Sequence, residues 1–320
     1  MKLKDCISFS FRQELVRIRQ ARAQRAAQRL ILYPDGELIE RHWSWQSGFC
    51  RACVAMGYLS PQQMQVAAAR YRLGMSRDDG VIFWQIDQLG LIHDGKVMYY
   101  RGDGHRDHGR HPTWVSRVLS QFYLGEAGDG VLVGNQHCLF GQHLLRGAPA
   151  DQAVAVVEAE KTAVILSAHF PQYLWMAVGG LTELSAVKLF PLRNRRVVLF
   201  PDTDANGQSY ALWYRVAGEA KVRFGNRIFV SSVLERRASA EQKAQKIDLV
   251  DFLFSATDQS IVPLIPKGIL QGSTLLGDTP KPLFAGVNPA ILHQPPPLLH
   301  KKGLQTTPQA PRQSLARGCN

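Results

Sequence analysis

Along the chain, the spacing of apolar and polar positions changes character three times. In residues 151–256, runs that are apolar at every position alternate with longer amphipathic ones: residues 153–157 (AVAVV), 174–178 (LWMAV) and 197–200 (VVLF) are each followed by helix-compatible sequence. Apolar residues on both alternating faces predict strands buried on both sides, as in the parallel sheet of an α/β domain. Residues 58–150 have a different texture. Ser60-Pro61-Gln62-Gln63 supplies a cap and a first-position proline for a helix through Arg70, which Tyr71 to Gly74 end. Residues 80–87 then read as a strand, Gln88-Leu89-Gly90 as a turn, and residues 95–100 as the returning hairpin partner. Ahead of this, in a segment spanning 1–57, residues 11–30 predict a helix with Val16, Ala23, Ala27 and Leu30 on one stripe and six arginines around it. That helix is read either as a solvated surface or as a contact to phosphates. From 257 to 320 the periodicity is lost. Residues 279–320 hold eight of the chain's 17 prolines, five Lys or Arg and no Asp or Glu. A segment so poor in packable apolar surface is expected to form a disordered basic tail.

Charge sharpens this picture. With 38 Lys and Arg against 26 Asp and Glu, the formal net charge is +12, which favours an anionic partner, nucleic acid before membrane. No apolar run approaches a membrane span, and the N-terminus has no signal-peptide core. Five cysteines, an odd number spread along 320 residues, point to reduced thiols and a cytoplasmic setting. Cys50 and Cys53 form a lone CxxC, and Cys6 is the nearest other cysteine. Structural zinc needs four ligands, so the pair is expected on the apolar side of a helix running through Val54 to Met56, without zinc. His105, His108 and His111 recur every three residues, but Gly104, Gly109 and Pro112 forbid a regular helix there. A polar hairpin extension touching phosphate is expected instead of a metal site.

The candidate chemistry lies where the apolar runs stop. After residues 197–200 come Pro201, Asp202, Thr203 and Asp204, then Ala205-Asn206-Gly207 as a turn, and from Gln208 a helix. After residues 153–157 comes Glu158, followed by a helix opening at Glu160-Lys161-Thr162. After the middle run comes Gly179-Gly180, with Thr182 as the expected cap of the next helix. In open α/β sheets, ligands bind at the carboxyl ends of the strands, so these acids are delivered to one edge. Mg²⁺ takes one or two carboxylates together with substrate phosphates. Lys188, Arg193, Arg195 and Arg196 precede the acidic strand, either as a solvated face or to hold template or triphosphate. Asp248, in the run Ile247-Asp248-Leu249-Val250-Asp251, reads either as an accessory metal or water ligand or as a helix cap.

In this order the elements resemble the Toprim domain of DnaG-type primases, topoisomerases and related nucleases: a strand ending in Glu, one ending in a Gly-rich turn, and one ending in Asp-x-Asp-x-x-Gly. Glu158, Gly179-Gly180, and Asp202, Asp204 with Gly207 fit these three motifs. The family's first motif continues Gly-x-x-Asp, where this chain has Ala159 and Thr162. The helix, Leu73-Gly74, strand and hairpin upstream, and residues 135–145 (NQHCLFGQHLL), resemble the primase subdomain that precedes Toprim. The resemblance implies an α/β Toprim domain over 151–256, its parallel sheet flanked by helices, behind a primase-core-like α+β subdomain over 58–150. It also implies metal-dependent nucleotidyl transfer on single-stranded DNA in replication, in a compact form of the kind carried by mobile elements. Under it Glu158, Asp202 and Asp204 are catalytic and hold Mg²⁺ or Mn²⁺, joined by Asp248. Lys161, Lys188, Arg193, Arg195 and Arg196 bind nucleotide or nucleic acid, and Gly179, Gly180 and Gly207 shape the turns. The implied partners are single-stranded DNA and nucleoside triphosphates, with a replicative helicase as a further partner and no membrane. A Toprim nuclease or strand-cutting enzyme, and a catalytically idle nucleic-acid-binding module, are the alternatives.

Overall fold

The computed structural model describes residues 30–34, 36–123, 131–133 and 137–254. All of these fall in one unit of the chain, Met1–Ser273, and none in the second, Thr274–Asn320. The expectations for residues 11–29, for Cys6 and for the proline-rich stretch lie outside the described residues, as do residues 135 and 136 of the 135–145 element.

In chain order the elements are β1 (Leu30–Leu32), α1 (Gly36–His42), α2 (Gly48–Ala55), α3 (Pro61–Tyr71), β2 (Gly74–Met75), β3 (Val81–Ile86), β4 (Ile92–Met98), β5 (Thr113–Trp114), α4 (Val115–Tyr123) and β6 (Val131–Val133). They continue with β7 (Val154–Val157), α5 (Glu160–His169), β8 (Leu174–Ala177), α6 (Ala186–Leu189), β9 (Arg196–Phe200), α7 (Gln208–Phe224), β10 (Arg227–Val230), α8 (Val233–Arg237), α9 (Ala240–Ala244) and α10 (Leu249–Phe254). The α3 boundary follows from its capping box: Ser60 Oγ accepts from the Gln63 N–H and the Gln63 side chain accepts from the Ser60 N–H. The hairpin expected around residues 88–90 is β3–β4, antiparallel, with a register shift at Gln85/Ile86. Around it the order is β2-β3-β4-β5, and a small separate parallel pair joins β1 to β6.

The second sheet, ordered β10-β9-β7-β8, is parallel throughout. Its strands send alternate residues to opposite faces. Ala155, Val157, Trp175 and Ala177 join a core with α5 and α10, whereas Val154, Val156, Met176 and Leu199 join one with α7. Fully burying a Val, Leu or Met side chain stabilises by about 1.5–3 kcal/mol, and β7 and β8 are buried at every position, so neither of these strands accepts a polar residue cheaply. This is why the runs read as continuously apolar.

The first core does not stop at residue 150. It takes in Phe49, Met64, Tyr71 and Phe83 from the preceding subdomain along with Val157, Ile165, Phe200 and Leu253. The Tyr71 hydroxyl donates to the Trp175 carbonyl at 2.9 Å, and Phe140 pairs with Ala177 through two backbone hydrogen bonds at the free edge of β8. Cys50 and Cys53 are buried in the same core on one side of α2. The His105–His111 segment is irregular and exposed; its Arg110 bonds Asp78 and lies over the Tyr99 ring, 3.5 Å from the centroid. Thr182 does not cap a helix: it sits inside a 3₁₀ turn, Leu181–Glu183, and Ser185 caps α6 by accepting from the Lys188 N–H. Among the described residues no helix is long and apolar enough to cross a membrane.

Candidate active site

β7 and β9 are neighbours, with Val157 opposite Phe200. Glu158 follows one strand end directly and Asp202 follows the other after Pro201, so the two carboxylates leave strand ends roughly 5 Å apart. Both line a cleft of about 340 Å³, together with Leu181, residues 203–206, Gln208, Ser209, Ala244 and Lys246. Burial pushes both carboxyls up from their usual range. At Asp202 the nearby Asp248, Glu158 and Asp251 add to burial, while Lys161 opposes it. At Glu158 the Leu181 N–H and Lys96 oppose it. Among the described residues no Lys, Arg or His forms a salt bridge with either carboxylate.

Asp204 lines the same cleft in a different electrostatic state. Its Oδ1 accepts from the Asn206 and Gln208 N–H groups at 2.9 and 3.1 Å, and its Oδ2 from the Ser209 N–H at 2.7 Å. It therefore caps α7, satisfying donors that the first turn leaves orphaned. Burial alone would raise its pKa, but the bonds from Ser209, Asn206 and Gln208 hold it at about 2. Gly207, just before the helix, is at φ 65°, where a side chain would be strained. The loop is pinned from outside by Thr203, whose Oγ1 donates to Glu235 at 2.9 Å and whose N–H donates to the Ile247 carbonyl.

Behind Asp202 stands a buried charge cluster. Lys161 Nζ lies 3.3 Å from Asp248 Oδ2 and 3.4 Å from Asp251 Oδ1. Thr162 Oγ1 donates to Asp248 at 2.6 Å, and the Asp251 N–H donates to Asp248 Oδ1 at 2.7 Å. Asp248 and Asp251 thus cap α10 reciprocally, and Asp248 spends both oxygens on protein groups. Of the two readings of Asp248, the cap is the one with observed hydrogen bonds. Thr162, where the resemblance leads one to expect Asp, is the donor that helps fix it.

The remaining basic positions part company with the acids. Lys161 is buried against Asp248 and Asp251, not free for nucleotide. Lys188 pairs with Glu183 at 2.8 Å. Arg195 donates to the carbonyls of Ala148, Pro149 and Gln152 and so anchors that loop, and Arg193 stacks on Phe190, 4.2 Å from the ring centroid. Arg193, Arg195 and Arg196 all stand at the amino end of β9, roughly 20 Å of extended chain from Asp202. They are on the wrong sheet edge to hold a phosphate beside it.

Two cations were missed in the sequence. Lys246 lines the cleft itself. Lys96 reaches from β4 across the subdomains to donate to the Gly179 carbonyl at 2.6 Å and pairs with the buried Glu160 at 3.2 Å. Gly179 is at φ 91°, and a Cβ there would stand 3.1 Å from Glu160 Oε1, so this turn needs glycine on both counts. Lys96 follows His93 and Asp94 in the same strand, so no local pattern set it apart; only its partners across the subdomains do, as expected for a lysine that is seldom buried unpaired.

No three His, Cys, Asp or Glu side chains among the described residues converge as a metal cage would require. What the cleft offers is two carboxylates in no salt bridge among the described residues, a donor set that fits Mg²⁺ or Mn²⁺ completed by phosphate and water.

The fold and cleft define a mixed α/β protein with a parallel sheet and an acidic pocket at its carboxyl edge. A family model described as a domain of unknown function, DUF6371, matches residues 54–203. No curated protein matches the chain. Among solved structures the chain is similar to a DnaG primase catalytic domain bound to ssDNA, with 16% identity over 71% of this chain and 81% of that one and a TM-score of 0.41. It is also similar to the E. coli primase catalytic core (14%, 71% and 82%, TM-score 0.41) and to the primase fragment of the bacteriophage T7 primase-helicase protein (13%, 68% and 79%, TM-score 0.37).

Proposed function

We infer that this chain is a primase-like nucleotidyltransferase that joins nucleotides on a single-stranded DNA template, using a divalent cation held by Glu158 and Asp202. The observation that carries this reading is the pair itself: two half-buried carboxylates on adjacent strand ends, facing one cleft and in no salt bridge with a cation among the described residues. Their raised pKa values express desolvation first and then repulsion from neighbouring carboxylates, both of which a bound cation would relieve. A bound Mg²⁺ would neutralise triphosphate charge and stabilise the attacking and leaving oxygens.

The chain's own residues do the rest. Asp204 fixes the first turn of α7 and thereby the position of Asp202 two residues before it. Lys246 presents a cation to the phosphate side of the cleft. Lys96 and Glu160 lock the Gly179 turn, setting the wall next to Glu158. In the transfer, the primer 3′-oxygen bonds to the α-phosphorus, pyrophosphate leaves, and the hydroxyl proton passes to solvent. Asp248, Asp251 and Lys161 form the rigid support behind Asp202 and are not ligands in this reading. The domain limits 58–150 and 151–256 belong to the same proposal, as two functional halves sharing a core.

A strand-cutting reading uses water or a tyrosine as nucleophile; no tyrosine lines the cleft among the described residues, whereas a hydrolytic nuclease would need only water activated by the same cation. Incubation with a single-stranded template, Mg²⁺ and labelled nucleoside triphosphates should give extension products that disappear in Asp202→Asn. Cleavage of the template without extension would reassign the site to a nuclease, and binding without either reaction to an idle module.

A further inference from the structure

Beside the cleft, α7 and the edge strand β10 leave a second groove of about 600 Å³ that the reaction does not use. Tyr210 and Tyr214 lie one helical turn apart on α7, rings 27° from parallel with centroids 6.1 Å apart. Tyr214 is 63% exposed, Val222 on the same helix 88%, and Phe229 on β10 40%. Two cations, Lys221 and Arg236, line the groove, and no carboxylate does. Neither cation has a salt-bridge partner among the described residues. On the neighbouring face of α7, by contrast, Arg223 is neutralised by Glu219 at 2.7 Å.

We propose that this groove is a path for single-stranded nucleic acid, with a base stacked on Tyr214 and the backbone phosphates held by Lys221 and Arg236. Aromatic faces interleaved with unpaired cations are what a sequence-tolerant single-strand site requires, and the absence of acid makes the charge complementarity one-sided. Position supports the same occupant. The groove and the cleft share α7, whose first turn is capped by Asp204, and they are divided by α8. Ser232 and Arg236 of that region face the groove, while Glu235 holds Thr203 of the cleft at 2.9 Å. The cleft is lined by Gln208 and Ser209 and the groove by Tyr210 and Tyr214 of the same helix, so a strand following α7 would pass from one to the other. The assignment rests on the single-stranded template named above, and it adds a contact surface outside the reaction centre.

The test uses the full chain and a fluorescent single-stranded thymidine oligonucleotide carrying 2-aminopurine. Tyr214→Ala should bind at least about fivefold more weakly, the lower end of one lost base–aromatic stack, and should lose the 2-aminopurine quench that Tyr214→Phe retains. Lys221→Glu with Arg236→Glu should weaken binding and flatten the dependence of log affinity on log salt by about 1.4, two phosphate contacts' worth on a single strand. Tyr214 is exposed, so matching melting curves should show that the variants fold. Normal binding and quenching by Tyr214→Ala would overturn the groove assignment and leave the cleft reading intact. A wild-type chain that binds no single-stranded DNA would overturn both. Light scattering that shows a dimer dissolved by Tyr214→Ala would give the groove to a second copy of the chain and overturn the proposal.

Discussion

Replacing Lys161 with methionine isolates what the buried cluster behind Asp202 is worth. The substitution keeps the side chain's length and apolar stem, so it opens little space and removes mainly the ammonium. The Lys161 side chain is 9% exposed, Asp248 7% and Asp251 23%, so the two carboxylates would lose their counter-ion where water replaces it poorly. Breaking a buried ion pair by removing one partner costs about 3–5 kcal/mol. Asp248 keeps the Thr162 hydroxyl and the Asp251 N–H and Asp251 is partly hydrated, which places the cost near the lower end. At about 2–4 °C per kcal/mol for a unit of this size, the melting temperature should fall by about 6–12 °C at neutral pH. The pH dependence provides the sharper check. In the native protein the lysine pKa is raised, with Asp248 and Asp251 overcoming the opposing effect of burial. Its stabilisation is therefore complete below the unfolded lysine value and lost only in strongly alkaline solution. In the variant the unpaired carboxylates gain raised pKa values, so the folded state holds protons that the unfolded state releases, and the deficit shrinks as pH falls toward 4. Thermal denaturation of both proteins at neutral and mildly acidic pH measures this. A deficit below about 2 °C, or one independent of pH, would refute the account. A variant that melts normally but binds nucleotide poorly would return Lys161 to the nucleotide-binding role that the sequence resemblance implied.

Asp202→Asn should melt higher than the native chain at neutral pH without metal, because a desolvated carboxylate beside Glu158, Asp248 and Asp251 is removed; it should also lose any stabilisation by millimolar Mg²⁺, and differential scanning calorimetry with and without the ion decides both. Asp204→Ala should cost about 1–2 kcal/mol as a lost helix cap. Because the Asp204 pKa is depressed to about 2, its stabilisation is present above the unfolded carboxyl range near 3.8 and lost as pH falls toward 2, so acid titrations of native and variant stability should converge there. Arg193→Ala with Arg196→Ala should leave Mg²⁺-dependent nucleotide affinity unchanged, measured by isothermal titration, since these side chains stand at the far end of β9; a loss of tenfold or more, about 1.4 kcal/mol, would contradict that geometry.

The parallel sheet was legible because its cause is local. Strands covered on both faces must be apolar at every position, and residues 154–157, 174–177 and 196–200 differ from that rule only at Arg196, which lies at the exposed start of β9. Glu158 and Asp202 were legible for the same reason, since a carboxylate directly after such a run has no place but the sheet edge. What spacing could not reveal is how each nearby charge is spent. Asp202 and Asp204 are chemically alike and separated by a single residue, yet one points at the cleft with a raised pKa and the other is consumed by three N–H groups and held at about 2. Lys161 and Lys96 depended on contacts 83 to 90 residues away in sequence, which no local pattern encodes. One clue was available even so: Lys161 lies in the first turn of α5, where the helix dipole disfavours a cation, and a lysine kept there implies acids that hold it. The arginines, read either as a solvated face or as a phosphate contact, are a different kind of case. Strand direction alone separates Arg196 from Asp202, because β9 must be traversed to pass from one to the other. A parallel sheet with its acids at the carboxyl edge therefore assigns any basic cluster before the strand to the opposite edge, and phosphate contacts must be sought on loops that return to the acids, as the one bearing Lys246 does.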